Sequence, residues 1–149
     1  MSHYRHRALF ALGVLLVVVA ILLPVVLRAT AFTEQLATQL TSDLLALRPP
    51  PTALFTSDLV TATGALRAVQ AAGLTIPTDL SFVAFDDAGW TAVVTPPLTV
   101  VAQPAYDMGA TAARLLIERV RGHRDEPATH VLPTTFVDRD SIGPPPAQP

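Results

Sequence analysis

Leu36, Leu40 and Leu44 recur at every fourth position, and Ala37, Leu45 and Leu47 widen the same face. This recurrence follows the 3.6-residue turn of a helix, so residues 32–47 are predicted to form an amphipathic helix. Arg48-Pro49-Pro50-Pro51 ends it, because a residue before proline is pushed out of the helical region. The period then shortens. Residues 52–56 (TALFT) are predicted as a strand bounded by Pro51 and Ser57-Asp58. Asp58 is placed to cap a helix over residues 59–72, with Leu59, Ala62, Leu66, Val69 and Ala72 on one side and Gly73 as its stop. After a turn at Ile76-Pro77-Thr78-Asp79, residues 80–85 (LSFVAF) show little alternation. Such a run predicts a strand inside a sheet covered on both faces.

Strand, helix and strand at this spacing predict a βαβ unit with parallel strands. Residues 88–97 connect to a third strand over 98–102. Pro104 opens a helix over 105–121 whose apolar face holds Met108, Ala112, Leu115, Leu116 and Val120, and Gly122 ends it. A polar loop (123–129) leads to a last strand over 130–137, and the proline-rich end (143–149) is expected to be disordered. The expected class is α/β, a parallel sheet of about four strands with flanking helices.

Residues 8–27 (ALFALGVLLVVVAILLPVVL) break this rhythm, with no charge and no hydrogen-bonding side chain. A helix of that length spans ~30 Å, the thickness of a bilayer core. Its fifteen Leu, Val, Ile and Phe residues favour insertion by about 5 to 9 kcal/mol. Arg5 and Arg7 precede the run and Arg28 follows it, which orients the N-terminus to the cytoplasm and exports the remainder. Ala29-Thr30-Ala31 has the small-x-small form of a cleavage site, although the run is longer than the usual signal core. Three readings stay open: an uncleaved anchor, a cleaved signal, and non-native sequence joined to a shortened reading frame. Localisation follows from that choice, at the membrane if residues 8–27 insert and in the cytoplasm otherwise.

Composition narrows the chemistry. The chain has 149 residues, 50% of them hydrophobic and 15% charged. Its mean hydropathy is +0.44. A net charge of −2 and the absence of lysine argue against a strongly basic nucleic-acid binder. The absence of cysteine removes a disulfide scaffold, a thiolate zinc site and a thiol nucleophile. Asp86 and Asp87 are adjacent at a strand end, so their side chains start toward opposite faces. A glycosidase needs two carboxyls on one bond, ~5–9.5 Å apart. His3, His6, His123 and His130 lack the i, i+4 spacing of a metal pair. There is no G-x-S-x-G, no G-x-x-x-x-G-K and no G-x-G-x-x-G. No catalytic residue, metal or cofactor is expected, and the chain is not read as an enzyme.

In an open α/β sheet, ligands sit outside the carboxyl ends of the strands. Two such ends carry polar groups here, Ser57-Asp58 and Asp86-Asp87. A carboxylate such as Asp86 accepts hydrogen bonds from sugar hydroxyls, or else it only caps the strand end. Asp58 is read first as a helix cap. Trp90 either stacks on a sugar ring or packs against the protein, and Asp138, Arg139 and Asp140 are expected on a solvated edge.

Several stretches taken in order resemble the sensor domain of the LacI/GalR family of bacterial transcription regulators. They are Pro51-Thr52-Ala53-Leu54-Phe55-Thr56-Ser57-Asp58-Leu59 with Gly64-Ala65-Leu66-Arg67, then Ala72-Gly73-Leu74-Thr75-Ile76-Pro77-Thr78-Asp79-Leu80-Ser81, then Val83-Ala84-Phe85-Asp86-Asp87. Thr95-Pro96-Pro97-Leu98-Thr99-Val100-Val101-Ala102-Gln103-Pro104, Met108-Gly109 and Arg139-Asp140-Ser141 continue the series. The resemblance implies a type I periplasmic-binding-protein-like, Rossmann-like fold and a small-molecule effector, a sugar or similar solute, held between two lobes. It places effector contacts at Ser57 and Asp86. Many relatives have asparagine at the Ser57 position, and serine offers one hydroxyl in place of an amide.

The implied organisation is an apolar segment at 1–31, a partial sensor domain at 32–143 and a tail at 144–149. No helix-turn-helix candidate precedes Pro51, so the chain is not expected to bind DNA by itself. Most of the first lobe is expected to be missing, which leaves the 105–121 helix without its sheet partner. An exposed sheet edge invites a homodimer. The competing function is an exported or membrane-anchored solute-binding module that contacts the bilayer through residues 8–27.

Overall fold

A computed structural model describes residues 33–122, 127 and 129–146. Its elements are α1 (Glu34–Leu45), β1 (Ala53–Thr56), α2 (Leu59–Ala71), β2 (Ser81–Phe85), β3 (Thr99–Ala102), α3 (Ala105–Val120) and β4 (Thr135–Val137). A 3-10 turn at Gly89–Ala92 lies between β2 and β3. The strands form one sheet in the order β1-β2-β3-β4.

β1, β2 and β3 are parallel, with Thr56 opposite Ala84 and Phe85 opposite Val101. β4 is antiparallel to β3, with Phe136 opposite Val101. This corrects the expectation of an all-parallel sheet, and the last strand shortens from 130–137 to Thr135–Val137. Pro133 has no N–H to give to a ladder, which limits pairing on its amino-terminal side. The reversed direction carries Arg139 and Ser141 back beside the amino ends of β2 and β3. There the Ser141 hydroxyl accepts from the Thr99 amide at 2.8 Å and donates to the Phe82 carbonyl at 2.5 Å.

One face of the sheet makes the core. Phe82, Ala84, Leu98 and Val100 are buried with Ala62 and Ala65 of α2, and Leu54, Leu66 and Trp90 pack around them. α1 lies on α2 through small residues. Ala37 and Thr41 are the buried positions of α1, and the leucine stripe predicted for it stays half-exposed or exposed. Gly64 explains the shift: a Cβ added there would lie 2.7 Å from the Ala37 Cβ. The Thr38 hydroxyl donates to the Gly64 carbonyl at 3.0 Å, across the same contact.

The opposite face differs from expectation. Val83, Phe85 and Val101 are half-buried, while Phe55 and Phe136 are 62% and 58% exposed. Among the described residues, coverage on both faces is therefore not found. α3 buries none of its residues. Among the described residues no helix is long and apolar enough to cross a membrane. The expected apolar N-terminal helix at 8–27, with the anchor and signal readings, lies outside the described residues.

Candidate functional site

The carboxyl ends of three parallel strands bring polar side chains to one edge. β1 ends in Ser57 and Asp58, β2 in Asp86 and Asp87, and β3 in Gln103. Asp58 does what its position predicts. Its Oδ1 accepts from the Val60 and Thr61 amides at 2.8 and 2.9 Å, which caps α2. Partial burial works to raise its pKa, but hydrogen bonds from Thr61, Ser57 and Val60 outweigh that and hold it below its ordinary value. Ser57 is exposed and donates to Asp58 Oδ2 at 3.2 Å, which leaves its oxygen free to accept.

Asp86 is half-buried with φ +77°, the one non-glycine residue of positive φ among the described residues. Aspartate tolerates this left-handed region better than most residues. The turn lets its amide donate to the Val101 carbonyl at 2.9 Å, so Asp86 still continues the β2–β3 ladder. Its Oδ1 accepts from the Gln103 side-chain amide. Asp86 and Gln103 are thus fixed side by side, each with further hydrogen-bonding capacity. Gln103 was legible only as part of a quoted stretch. Its signal was a polar residue at the carboxyl end of a strand, immediately before the proline that opens a helix.

Asp87 turns away to a different set of partners. Its carboxylate is held by both terminal nitrogens of Arg139, at 3.1 and 2.8 Å, and accepts from the Thr91 hydroxyl at 2.6 Å. Those bonds hold its pKa below the ordinary carboxylate value. Arg139 also donates to the Leu98 carbonyl at 2.9 Å, and its side chain is only 18% exposed. This corrects the expectation that Asp138, Arg139 and Asp140 form a solvated edge. The arginine reaches back to the β2 turn, while Asp138 and Asp140 are exposed. Trp90 is half-buried and packs against the core, in agreement with its packing alternative. His130 is exposed, and His3, His6 and His123 lie outside the described residues. Among the described residues no three His, Asp or Glu side chains are grouped to hold a metal ion.

The family described as periplasmic binding protein-like domain matches residues 7–142. The chain belongs to the LacI-type sensor-domain family. Among its curated relatives is a probable opine utilization operon repressor from Rhizobium rhizogenes, 39% identical over 93 residues, or 62% of this chain and 47% of that protein. The HTH-type transcriptional repressor CytR of Escherichia coli is 36% identical over 110 residues, or 74% of this chain and 32% of that protein. A LacI family regulator from Enterococcus faecium, solved with bound ribose, superposes with TM-score 0.68 at 32% identity, covering 80% of this chain and 43% of that one. The chain therefore spans less than half the length of these relatives. What it presents is one part of a LacI-type sensor, with a polar strand-end edge and a helix, α3, that buries nothing.

Proposed function

We propose that this chain is the effector-sensing part of a LacI-type transcriptional regulator, and that its strand-end edge receives a sugar or similar polyhydroxylated effector. Asp86 accepts hydrogen bonds from ligand hydroxyls, Gln103 holds that carboxylate and offers its own amide, and Ser57 adds one weaker contact. The observation that carries this reading is the Asp86–Gln103 pair at the carboxyl ends of adjacent parallel strands, where ligands of open α/β sheets bind. Sugar-bound relatives support the ligand class, the Enterococcus faecium regulator with ribose among them. The proposed role is binding: the neighbouring carboxylate of Asp87 is committed to Arg139, so the two aspartates do not form an acid–base pair. DNA recognition belongs to other parts of such regulators, so this chain alone is not expected to shift a DNA duplex in an anisotropy titration.

The test is titration of the full chain with D-ribose, cellobiose and lactose, followed by the fluorescence of Trp90, the sole tryptophan. With contacts from one side of a cleft only, affinity is expected near or weaker than about millimolar. Asp86→Asn should abolish the saturable response. A response to none of the sugars, or one that Asp86→Asn leaves unchanged, overturns the reading. Micromolar binding would overturn the one-sided cleft.

A further inference from the structure

We infer that Arg139 is a positioning residue for the effector site: through Asp87 it fixes the turn that presents the Asp86 carboxylate. The inference rests on the sugar-site reading above and adds to it a residue far along the chain from the strand ends. The argument begins with Asp86, held at φ +77° at the point where β2 stops. A residue in that region keeps its conformation only if its surroundings over-determine it. On its carboxyl side, the constraint is the Asp87 carboxylate.

Asp87 is gripped in three ways. Arg139 forks onto both carboxylate oxygens, and the Thr91 hydroxyl donates to Oδ1 at 2.6 Å. The Thr91 backbone amide donates to the Ala88 carbonyl at 2.9 Å, closing the loop from Ala88 to Thr91 on itself. Arg139 is in turn held at its other contacts. Its guanidinium donates to the Leu98 carbonyl and the Thr91 hydroxyl, and its backbone amide donates to the Thr99 hydroxyl at 2.9 Å. The Thr99 hydroxyl donates back to the Arg139 carbonyl at 3.1 Å. Two buried threonines therefore anchor the segment after β4, Thr99 to β3 and Thr91 to the loop after β2. A planar, bidentate guanidinium transmits orientation as well as charge, which a point charge would not do.

The pair is only partly buried, with side chains 18% and 31% exposed, so its own worth to global stability is modest. Its consequence is local. With the fork intact, Asp87 is pinned on one side of the turn and Asp86 faces Gln103 on the other. With it gone, the loop is released from the end nearest the effector carboxylate.

The experiment uses the full chain labelled with nitrogen-15, with Arg139→Gln, Arg139→Lys and Asp87→Asn variants. The readouts without ligand are the side-chain amide pair of Gln103 and the backbone amide of Asp86. Arg139→Gln and Asp87→Asn should shift these signals and speed their exchange with solvent, while the Phe82 and Val100 amides stay protected. Arg139→Lys keeps the charge without the fork and should restore the signals only in part. A merely structural role would lower the melting temperature without selectively moving Gln103. Unmoved Gln103 and Asp86 signals in the folded Asp87→Asn protein overturn the inference. So does full rescue by lysine. If Arg139→Gln does not fold, the other two variants decide.

A second arm adds D-ribose. Arg139→Gln should weaken binding about tenfold, the lower end of what loss of a supporting partner costs a ligating group. Loss of ribose binding in Asp86→Asn together with an unchanged affinity in Arg139→Gln refutes positioning and leaves the sugar site standing. If the wild-type chain does not respond to ribose, the sugar reading is what fails, and the ligand-free signals still judge Arg139.

Discussion

α2 and α3 are two amphipathic helices of the same chain with opposite fates. α2 is capped by Asp58 and buries Ala62, Gly64, Ala65, Ala68 and Val69 against α1 and the sheet. α3 begins after Pro104, has no side-chain cap and buries nothing, with Tyr106 86% exposed and Leu116 63%. Its apolar stripe is at least as regular in sequence as that of α2. An amphipathic pattern thus states that a helix needs a partner, and nothing in the pattern says that the partner is present. The chain spans less than half of the relatives described above, and among the described residues nothing covers the α3 stripe.

The sharpest way to test this contrast is to remove one large apolar side chain from each region. Phe82 is fully buried beneath α2. Phe82→Ala should cost about 3–5 kcal/mol, the range for a large aromatic lost from a core, and is expected to unfold much of the protein. Leu116→Ala on α3 should change stability by less than about 0.5 kcal/mol. Urea denaturation monitored by circular dichroism reads both. A comparable loss at Leu116 would mean that α3 has a partner after all.

Glycine gives a comparison in which even the sign differs. At Gly64 a Cβ would press against the Ala37 side chain and the Glu34 carbonyl, so Gly64→Ala should force α1 and α2 apart and cost about 1–3 kcal/mol. Gly109 sits inside α3 with nothing within 4 Å of its missing Cβ. There the only change is the backbone entropy of glycine, and Gly109→Ala should stabilise α3 locally by about 0.5–1 kcal/mol. Raised helicity in Gly109→Ala and a lowered melting temperature in Gly64→Ala are the expected readings.

These positions also show what could be read from the sequence. β1, β2 and β3 were legible to within a residue or so because each is a short apolar run bounded by proline or aspartate. The exposure of α3 among the described residues matches an expectation that came only through the resemblance. The packing of α1 was not: its leucines advertise a face, while the close approach at Gly64 turns Ala37 and Thr41 inward instead. At the candidate site, the strand ends offered Ser57-Asp58 and Asp86-Asp87, and the resemblance singled out Ser57 and Asp86. Gln103 carried only the weaker signal of a polar strand end before a proline, and Arg139 carried none, because its partners depend on which strands are neighbours. The antiparallel β4, which brings Arg139 beside Asp87, followed from no local signal.

The caps extend the comparison to smaller effects. Asp58→Ala removes two charge-assisted bonds to the first turn of α2 and should cost about 1 kcal/mol. The same interaction carries a pH dependence whose sign is fixed. The folded-state pKa of Asp58 lies below its ordinary 3.8, so the cap contributes fully above that value and its contribution is lost as pH falls below it. Asp87 behaves likewise, its carboxylate being held ionised by Arg139. Acid titration of the melting temperature should therefore flatten below that range in an Asp58→Ala, Asp87→Asn double variant relative to wild type.

The smallest effect expected comes from an ion pair on the surface of α3. Arg114 and Glu118 are an i, i+4 pair at 3.2 Å, with side chains 58% and 36% exposed. Water screens such a pair, and ordering two long side chains offsets part of its attraction. The arginine also lies mid-helix, away from the first and last turns, so the macrodipole adds little at its position. Arg114→Ala should cost no more than about 0.5 kcal/mol, and alanine's higher helix propensity recovers some of that. The useful readout is the salt dependence of α3 helicity, which should be slight in wild type and weaker still in the variant. A strong, salt-resistant loss of α3 helicity would mean that the helix relies on this pair far more than an exposed pair allows. That outcome would sharpen the contrast with α2, whose helical state depends on what lies beneath it.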